Sequence, residues 1–598
     1  MNSKLKSVAV LALAACLVSS QAYAGDPPAP AQKKTAAKKP PKPTVEEQIE
    51  ALRQQLQGQI DSLKSDLAAK DTQLKQAQQT AADAQAAASK AQADATAQQQ
   101  ANTENAAAVG ALQANVADMS KANAAMVSSL SDDTASIKKA IASPENINFK
   151  GVTLSFTGSF LAAETVWRQG AVGGDINTPF TGVPLDNSNA AQLSEFQGTA
   201  RQSRLALRAI GKLPKMTLTG YYELDWLGTG ITSNNNQSNS YVMRQRQLWA
   251  DVAMHNGWDI SAGQGWSLVT ETTQGLKRGT EILPANIDAQ YNAGFVWTRQ
   301  WSMRVSKPIG KKFFLGASAE NAETLNPGGS NLPTNVLIGS SGTGGGLYNS
   351  TANYSFNLAP DLIAKVAIEP GWGHWEVFGI GRFFRDRVYP NAPTNADGAY
   401  NDSTVAGGIG GGFRGPFAHR KLTIGLKGLY GQGVGRYGSS TIADITLHPD
   451  GQIAPLRGFS ALGTVEINPS PRLNIYSYYG GDYIYRRYFG KIGYGSPLTV
   501  MTGCNTEPVA GSGVVNGGDG FSPAAPANCG NQNKDVQEFS VGYWYYMYRG
   551  EKGGLRQGFQ YSLFQRNLWS GVGGPLNPGG GAQGTDNMWW TSLRYYLP

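Results

Sequence analysis

Two stretches of the chain place like-charged residues at positions of the same parity, and the arginines of the first stretch can bind anions. The segment QSRLALR carries Arg204 and Arg208 with leucines between them, and YYELDW carries Glu223 and Asp225. Successive side chains of a β-strand point to opposite faces, so each stretch would hold its charges on one face. Arginines on such a face can hold carboxylate or phosphate groups, or they can pair with the neighbouring acids and stiffen a wall.

The same parity assigns further residues to the charged face. Three more segments that alternate as strands contribute Arg304, Arg566 and Arg594. In the first of these segments, Phe295 and Trp297 are predicted to lie on the opposite, apolar face. The run RQRQ breaks the alternation, so the directions of Arg244 and Arg246 stay open, with one of the two predicted to face inward.

A polar segment, 269–293, could place charges across any space that these strands enclose. Its charged residues are Glu271, Lys277, Arg278, Glu281 and Asp288. Folded inward, the segment would narrow the space and act as a constriction loop. Folded outward, it would be an ordinary external loop, and the sequence leaves both interpretations open.

Cys504 and Cys529 flank a Gly-, Pro- and Asn-rich stretch inside the segment 489–534. If the chain leaves the cytoplasm, two cysteines at this spacing favour a disulfide that staples a long loop. Free thiols and metal ligation are the alternatives.

No motif of a catalytic or metal site stands out. No histidine lies at metal-ligand spacing from another histidine or a cysteine; the four are His255, His374, His419 and His448. GGIGGGF at 407–413 has the glycine spacing of a dinucleotide loop but precedes no helix, so we interpret it as a glycine-rich strand. We expect no enzyme activity, no cofactor, no metal and no nucleic-acid partner. An enzyme barrel such as a lipase or protease is the alternative.

Residues 147–598 contain the elements that must position these side chains. Sixteen runs show strand alternation: 150–168, 200–213, 216–228, 241–255, 258–268, 294–307, 312–322, 360–370, 374–388, 403–415, 420–433, 456–468, 472–488, 535–549, 555–568 and 586–597. Seven short turns, among them Gly415-Pro416, alternate with eight long loops. This layout predicts an all-β transmembrane barrel of about 16 antiparallel strands with both ends on the short-turn side. A soluble β-sandwich or propeller is the alternative.

The last run, MWWTSLRYYLP, is predicted to close the barrel against the first strand. Its odd positions, which include Trp589 and Tyr595, would face lipid near the two interfaces. Its even positions, which include Trp590 and Arg594, would face the lumen.

The N-terminal part has three predicted regions. Residues 1–24 resemble a secretory signal peptide cleaved after Ala24, with lipidation of Cys16 as the alternative. Residues 25–44 are a Pro- and Lys-rich linker. Residues 45–142 carry one apolar stripe at intervals of three and four, which predicts a coiled coil roughly 145 Å long that needs partner helices. An amphipathic helix lying on another surface is the alternative to the coiled coil.

Four segments together resemble the trimeric DcaP-type porins: ARQSRLALR, YYELDW, RQRQLWADV and SAGQGWSLV, in this order between 200 and 269. The resemblance implies a homotrimer, a periplasmic coiled coil and passive uptake of small, often anionic solutes. It also implies that Arg204, Arg208, Glu223 and Asp225 are wall residues. The layout is more distantly similar to that of sucrose-type porins, whose aromatic track we do not identify here.

The sequence therefore predicts a porin in the outer membrane of a diderm bacterium, with its N-terminal rod in the periplasm. The barrel region has a net charge of +7 and more Arg than Lys, which favours mild anion preference. Expected partners are outer-membrane lipid, further copies of the chain and small polar or anionic solutes. Peptidoglycan is a candidate partner of the N-terminal region. A structural envelope tether with the barrel as its anchor, and a sugar-selective porin, are the alternative functions.

Overall fold

The computed structural model describes residues 146–228, 241–327, 332–342, 353–504, 507, 529–573 and 581–598. The predicted signal peptide, linker and coiled coil (1–24, 25–44 and 45–142) lie outside these residues. In the described part of the chain, sixteen long strands form one antiparallel sheet that closes on itself. No helix among the described residues has the length and apolar character needed to span a bilayer.

The sixteen barrel strands are named β1 to β16 in chain order. Their bounds are β1 Phe160–Arg168, β2 Arg204–Leu213, β3 Met216–Gly228, β4 Val242–Met254, β5 Asp259–Trp266, β6 Arg299–Ile309, β7 Phe313–Glu320, β8 Asp361–Ile368, β9 His374–Val388, β10 Tyr400–Phe417, β11 Leu422–Gln432, β12 Arg457–Ser470, β13 Leu473–Ile484, β14 Asn533–Gly550, β15 Gly553–Leu568 and β16 Gln583–Tyr596.

Shorter elements lie beside the barrel strands or in the loops. The short strands are Ile147–Phe149, Val152–Ser155, Glu195–Thr199, Val336–Leu337, Ile445–Leu447, Ile453–Pro455, Arg487–Phe489 and Ile492–Tyr494. The single-turn 3-10 helices are Phe180–Gly182, Ala190–Gln192, Ala418–Arg420 and Gly435–Tyr437.

Each barrel strand pairs with the next, and β16 pairs with β1. Trp589 lies opposite Trp167 and Tyr596 lies opposite Phe160, so the last strand closes the ring as predicted. Between these strands, seven short turns alternate with eight long segments. The predicted closed barrel of sixteen antiparallel strands is confirmed.

The two faces of the sheet differ in chemistry. The outer face exposes large apolar side chains, and Val405, Leu426 and Ile409 are 68%, 63% and 62% exposed. The inner face carries buried charged, polar and aromatic side chains. An apolar outer band around a polar interior is the arrangement that a lipid bilayer stabilises.

The predicted single strand 150–168 is wrong, because the chain breaks after Ser155. Gly158 adopts a φ of +96°, a left-handed conformation that interrupts the strand. Val152–Ser155 then pairs with the lower half of β2, whereas β1 pairs with β16. The Ser159 hydroxyl fills the gap by accepting the Ala206 N–H at 2.8 Å.

The predicted start of the sixth strand at residue 294 is also wrong. β6 begins at Arg299, and the residues before it belong to a loop inside the barrel. Phe295 is buried in the interior, and the Trp297 indole N–H donates to Ser439 Oγ at 2.8 Å. The prediction that Phe295 and Trp297 face lipid therefore fails, because the alternation of β6 does not extend to them.

Two further predicted boundaries differ from the structure. The second strand begins at Arg204 rather than at residue 200. The short strand Glu195–Thr199 pairs instead with the C-terminal half of β1. The turn predicted at Gly415-Pro416 lies at 418–421, because β10 and β11 remain paired as far as Phe417 opposite Leu422.

Candidate functional site

The third long loop, residues 267–298, lies inside the barrel. It joins β5 to β6, yet its middle contacts the opposite side of the ring. The Ala285 N–H donates to Tyr478 Oη at 2.9 Å, and the Trp544 indole N–H donates to the Ala285 carbonyl at 2.7 Å. Because β13 and β14 lie across the ring from β5 and β6, the third loop spans the lumen.

Two lysines hold the start of the third loop against the wall. The Lys365 ammonium donates to the Thr270 carbonyl at 2.8 Å, and the Lys427 ammonium donates to the Val269 carbonyl. Both ammonium groups also pair with Glu376, which lies 2.6 Å from Lys365. The three charged groups are buried, so each needs the others to offset its lost hydration. This cluster fixes the start of the loop to β8, β9 and β11.

Lys277, Arg278 and Glu271 of the third loop stay near the wall rather than in mid-lumen. Lys277 Nζ lies 3.5 Å from Asp251 and 3.6 Å from Asp259. Arg278 donates to serine hydroxyls of β5 and β6 at 3.0 and 2.6 Å. Burial lowers the pKa of Arg278 to about 10, which leaves it charged at neutral pH. Glu271 lines a small cavity of about 10 Å³ near the start of the loop.

Glu281 and Asp288 have partners in different parts of the barrel. Arg304 of β6 donates to Glu281 at 3.0 Å. Asp288 accepts the Thr178 hydroxyl of the first long loop, residues 169–203. Burial raises the pKa of the Asp288 carboxyl to about 6. Of the five loop residues predicted to lie across the bore, Asp288 is the one that joins the two inward segments.

Strands β2 to β4 carry an ionic network that we call the ionic wall: Arg204, Glu223, Asp225, Arg244 and Arg246. Arg246 donates to Glu223 at 2.6 Å and to Asp225 at 2.8 Å. Arg244 donates twice to Asp225, at 3.0 and 2.9 Å, and Arg204 Nε lies 3.7 Å from Glu223. Three guanidinium groups share two carboxylates, so the ionic wall keeps one net positive charge.

A β-bulge in β4 explains why parity failed at RQRQ. Gln247 pairs with Glu223 of β3, and Gln245 pairs with Leu224, the next residue of the same strand. Arg246, between them on β4, therefore has no partner on β3. An extra residue shifts the alternation by one position. Both Arg244 and Arg246 therefore face inward, where the sequence predicted one of them.

The third loop also contacts the ionic wall through Gln290. Gln290 Oε1 accepts from Arg246 at 3.0 Å and from Arg299 at 3.1 Å. The Arg299 guanidinium lies 5.3 Å from the Trp266 ring centroid. Among the described residues, no carboxylate lies within ion-pair distance of Arg299. One glutamine side chain thus couples the loop to two arginines.

The other predicted wall arginines have varied partners. Arg594 donates to Glu164 at 2.6 Å and to a carbonyl group of the third loop. Arg566 donates to Asn533 at 2.6 Å and to a carbonyl group of the first loop. Arg208 faces inward on β2, and its Nε is buried without a hydrogen-bond partner in the described part of the chain.

Arg556 of β15 is an inward-facing arginine that the sequence reasoning missed. Its guanidinium lies 3.9 Å from the Trp544 ring centroid and 4.7 Å from that of Tyr596. Arg594 lies 4.7 Å from the same Trp544 ring. Arg556 has no ion pair with a described carboxylate. The even positions of β15, which include Arg566, face inward, so extending the same alternation back to residue 556 would have predicted that Arg556 faces inward.

Strands β13, β14 and β16 carry what we call the aromatic wall: Tyr476, Tyr478, Trp544 and Trp590. The two tyrosine rings stack with centroids 5.3 Å apart. The inward loops cover all four rings, and Trp544 and Trp590 are 1% and 0% exposed. Rings covered in this way offer no stacking surface to a sugar, so this wall does not favour the sugar-selective interpretation.

Cys504 and Cys529 form a disulfide in the structure, with their Cα atoms 4.9 Å apart. Among the described residues, no group of three or more His, Cys, Asp or Glu side chains is arranged to hold a metal ion.

Comparison with solved structures finds the same kind of barrel in an outer-membrane channel. The outer membrane channel DcaP of Acinetobacter baumannii covers 75% of this chain and 99% of its own, at 15% identity and a TM-score of 0.51. An anion-selective porin from Comamonas acidovorans and OmpF from Salmonella typhi cover the same shares, at 11% and 10% identity and TM-scores of 0.37. No family model and no curated protein matches the chain. The predicted resemblance to DcaP-type porins is confirmed at the level of the fold.

Proposed function

We propose that the chain forms a passive outer-membrane channel for small hydrophilic solutes, with a mild preference for anions. The observation that carries this proposal is a set of inward-facing arginines that lack a carboxylate partner of their own among the described residues. The ionic wall has one unbalanced guanidinium group, and Arg208 and Arg556 face inward without a carboxylate partner among the described residues. Fixed positive charge along a pore lowers the electrostatic barrier for anions and raises it for cations.

The apolar outer face supports a membrane location, and both ends of the barrel sequence lie on its short-turn side. In outer-membrane barrels the short turns face the periplasm. In our proposal, residues 1–24 are the secretory signal, 25–44 the linker and 45–142 a periplasmic coiled coil, ahead of a barrel over 147–598. The homotrimer and the link to peptidoglycan are parts of the same proposal.

Single-channel recording of the purified protein in planar bilayers tests the proposal. We expect stepwise openings and, under a salt gradient, a reversal potential shifted toward that of the anion. The double variant Arg208→Gln/Arg556→Gln removes two positive charges that no described carboxylate balances. It should open with similar conductance but show a smaller anion shift than wild type, because fixed charge sets selectivity more than bore size.

The matched control is Arg385→Gln/Arg387→Gln, which removes two arginines from the outer face of β9. This variant should keep the wild-type reversal potential. A wild-type protein that conducts without ion preference would contradict the anion part of the proposal.

A structural tether is the second candidate function, and the packing of the lumen favours it. The third loop spans the bore and buries much of the inner wall, as a plugged barrel would. A protein that inserts into bilayers, stays silent and still oligomerises would replace the channel proposal with this one.

A further inference from the structure

The last residues of β9, next to the long loop 389–399, include two arginines that point away from the lumen. Residues of β9 alternate strictly, and the even positions, including Asp386, are buried on the inner side. Arg385 and Arg387 occupy odd positions and are partly exposed on the outer face. On β10, Asp402 lies opposite Asp386 and shares its face. The two acids therefore lie on the other side of the sheet from the arginines.

These arginines lie where the apolar outer band ends. One step below Arg385, Phe383 pairs with the exposed Val405 of β10. Leu337, also exposed, pairs with Arg387 from the loop side. An isolated antiparallel bridge joins Asn357 to Phe384. The exposed Phe356, one residue before Asn357, therefore lies beside Arg385, one residue after Phe384. Arg387 is followed within two residues by the long segment 389–399, on the side of the barrel opposite the short turns.

Only neutral groups bind these two guanidinium groups in the described structure. Arg385 donates to Ser403 Oγ at 3.4 Å, and Arg387 donates to Asn401 Oδ1 at 3.0 Å. The Arg387 guanidinium also lies 5.6 Å from the Tyr389 ring centroid. Neither arginine has an ion pair with a described carboxylate. Two positive charges at the edge of an apolar surface can attract an anion that lies at the same depth.

We propose that Arg385 and Arg387 bind the phosphate groups of a phosphorylated glycolipid in the outer leaflet, of the lipopolysaccharide class. Residues two apart on a strand have Cα atoms about 7 Å apart, so both guanidinium groups can reach one headgroup. Guanidinium donates paired hydrogen bonds to phosphate and is readily stripped of water, which suits an interface. The neighbouring apolar side chains would contact the acyl chains of the same lipid, which a free phosphate ion lacks.

This inference uses the membrane orientation of the proposed function but not ion conduction. Its test measures lipid binding to the purified full-length protein by native mass spectrometry in detergent. The probes are lipopolysaccharide, the same lipopolysaccharide with its phosphates removed, and inorganic phosphate as a competitor. The variant is Arg385→Gln/Arg387→Gln. The matched control is Arg549→Gln/Lys552→Gln, two exposed basic residues at the opposite, short-turn end.

We expect wild type and the control to bind intact lipopolysaccharide equally and the variant to bind it about tenfold more weakly, from the loss of two interfacial cations. Removing the phosphates should abolish the difference between wild type and variant. Equal binding by wild type and variant would overturn the proposal. Full competition by millimolar inorganic phosphate would also overturn it, in favour of a free-anion site. Loss of oligomers in the variant alone would assign these arginines to a contact between copies instead.

The two proposals fail separately. A variant that loses lipid but keeps its conductance and reversal potential supports the lipid site and leaves the channel proposal untouched. A protein that never conducts but still binds phosphorylated lipid through these arginines loses the channel proposal alone.

Discussion

The ionic wall and the aromatic wall line different sectors of one lumen, and the third loop covers them to different extents. On the ionic wall, the Arg244 side chain is 32% exposed, and the nearby Lys277 side chain is 42% exposed. On the aromatic wall, Trp544 and Trp590 are almost completely covered. The third loop therefore covers the aromatic wall almost completely. On the ionic wall Glu223, Asp225 and Arg246 are buried as well, but Arg244 stays partly exposed. In the proposed channel, a solute would pass beside the partly exposed Arg244 and Lys277 side chains.

The chemistry of the two walls explains this asymmetry. Tyr478 and Trp544 each present one polar group on an apolar ring, which can satisfy a loop backbone while the ring packs against it. The carboxylates and guanidinium groups of the ionic wall gain more from each other than from a neutral backbone. A loop that must bury its own peptide groups therefore settles against the aromatic side.

The largest expected effect comes from breaking the ionic wall. Arg246→Gln removes the buried cation that contacts both Glu223 and Asp225. Leaving buried carboxylates short of a partner should cost roughly 3–5 kcal/mol of unfolding free energy. Urea unfolding in liposomes, followed by the gel-mobility difference between folded and unfolded barrel, measures it.

The control is the charge-matched double variant Arg246→Gln/Glu223→Gln, which should recover a large part of the loss. If the single variant loses less than about 1 kcal/mol, the network behaves like an exposed ion pair and the comparison of the two walls is wrong.

A smaller effect should follow from loosening the loop on the aromatic wall. Tyr478→Phe removes the hydroxyl that accepts the Ala285 N–H and donates to Glu466 at 2.8 Å. The lost hydrogen bond is worth about 1 kcal/mol, enough to raise the population of loops detached from the wall severalfold. Single-channel records should show larger and noisier open currents.

Tyr476→Phe is the matched control, because the Tyr476 hydroxyl donates to Gln560 of the wall at 3.1 Å rather than to the loop backbone. Equal noise in both variants would mean that the Tyr478 hydroxyl does not hold the third loop.

The smallest effect concerns Asp288. Its carboxyl, with a pKa raised by burial to about 6, is charged at pH 7 and mostly neutral at pH 5. Acidification should therefore increase the anion preference modestly, by less than about twofold in permeability ratio. The pKa of Asp288 in the folded protein lies above the ordinary value of 3.8. The protonated carboxyl therefore contributes to the free energy of unfolding fully below about pH 4, and this contribution is lost as the pH rises through 6.

Asp288→Asn should abolish this pH dependence between pH 5 and 7 and fix the selectivity near the acidic value. An unchanged pH profile in this variant would assign the titration to another group in the lumen.

Local alternation was sufficient to predict the barrel and part of its interior. Pleating forces successive side chains to opposite faces, so QSRLALR and YYELDW alone placed Arg204, Arg208, Glu223 and Asp225 on the inner side. The same rule placed Trp590 and Arg594 inside on the last strand. Turn residues and loop lengths then predicted sixteen strands, because each signal is contained within a few neighbouring residues.

Tertiary structure decided the features that depend on distant residues. The bulge at Arg246 shifts the pairing of β4 with β3, and nothing in the residues RQRQ indicates a bulge. The left-handed Gly158 splits the first strand, and the inward course of the third loop carries Phe295 and Trp297 away from lipid. The loop rests where hydrogen bonds to β13, β14 and β15 satisfy its backbone, and those partners lie nearly two hundred or more residues away along the chain. Sequence periodicity reports which face a strand presents, but the resting place of a loop is set by long-range contacts that periodicity does not contain.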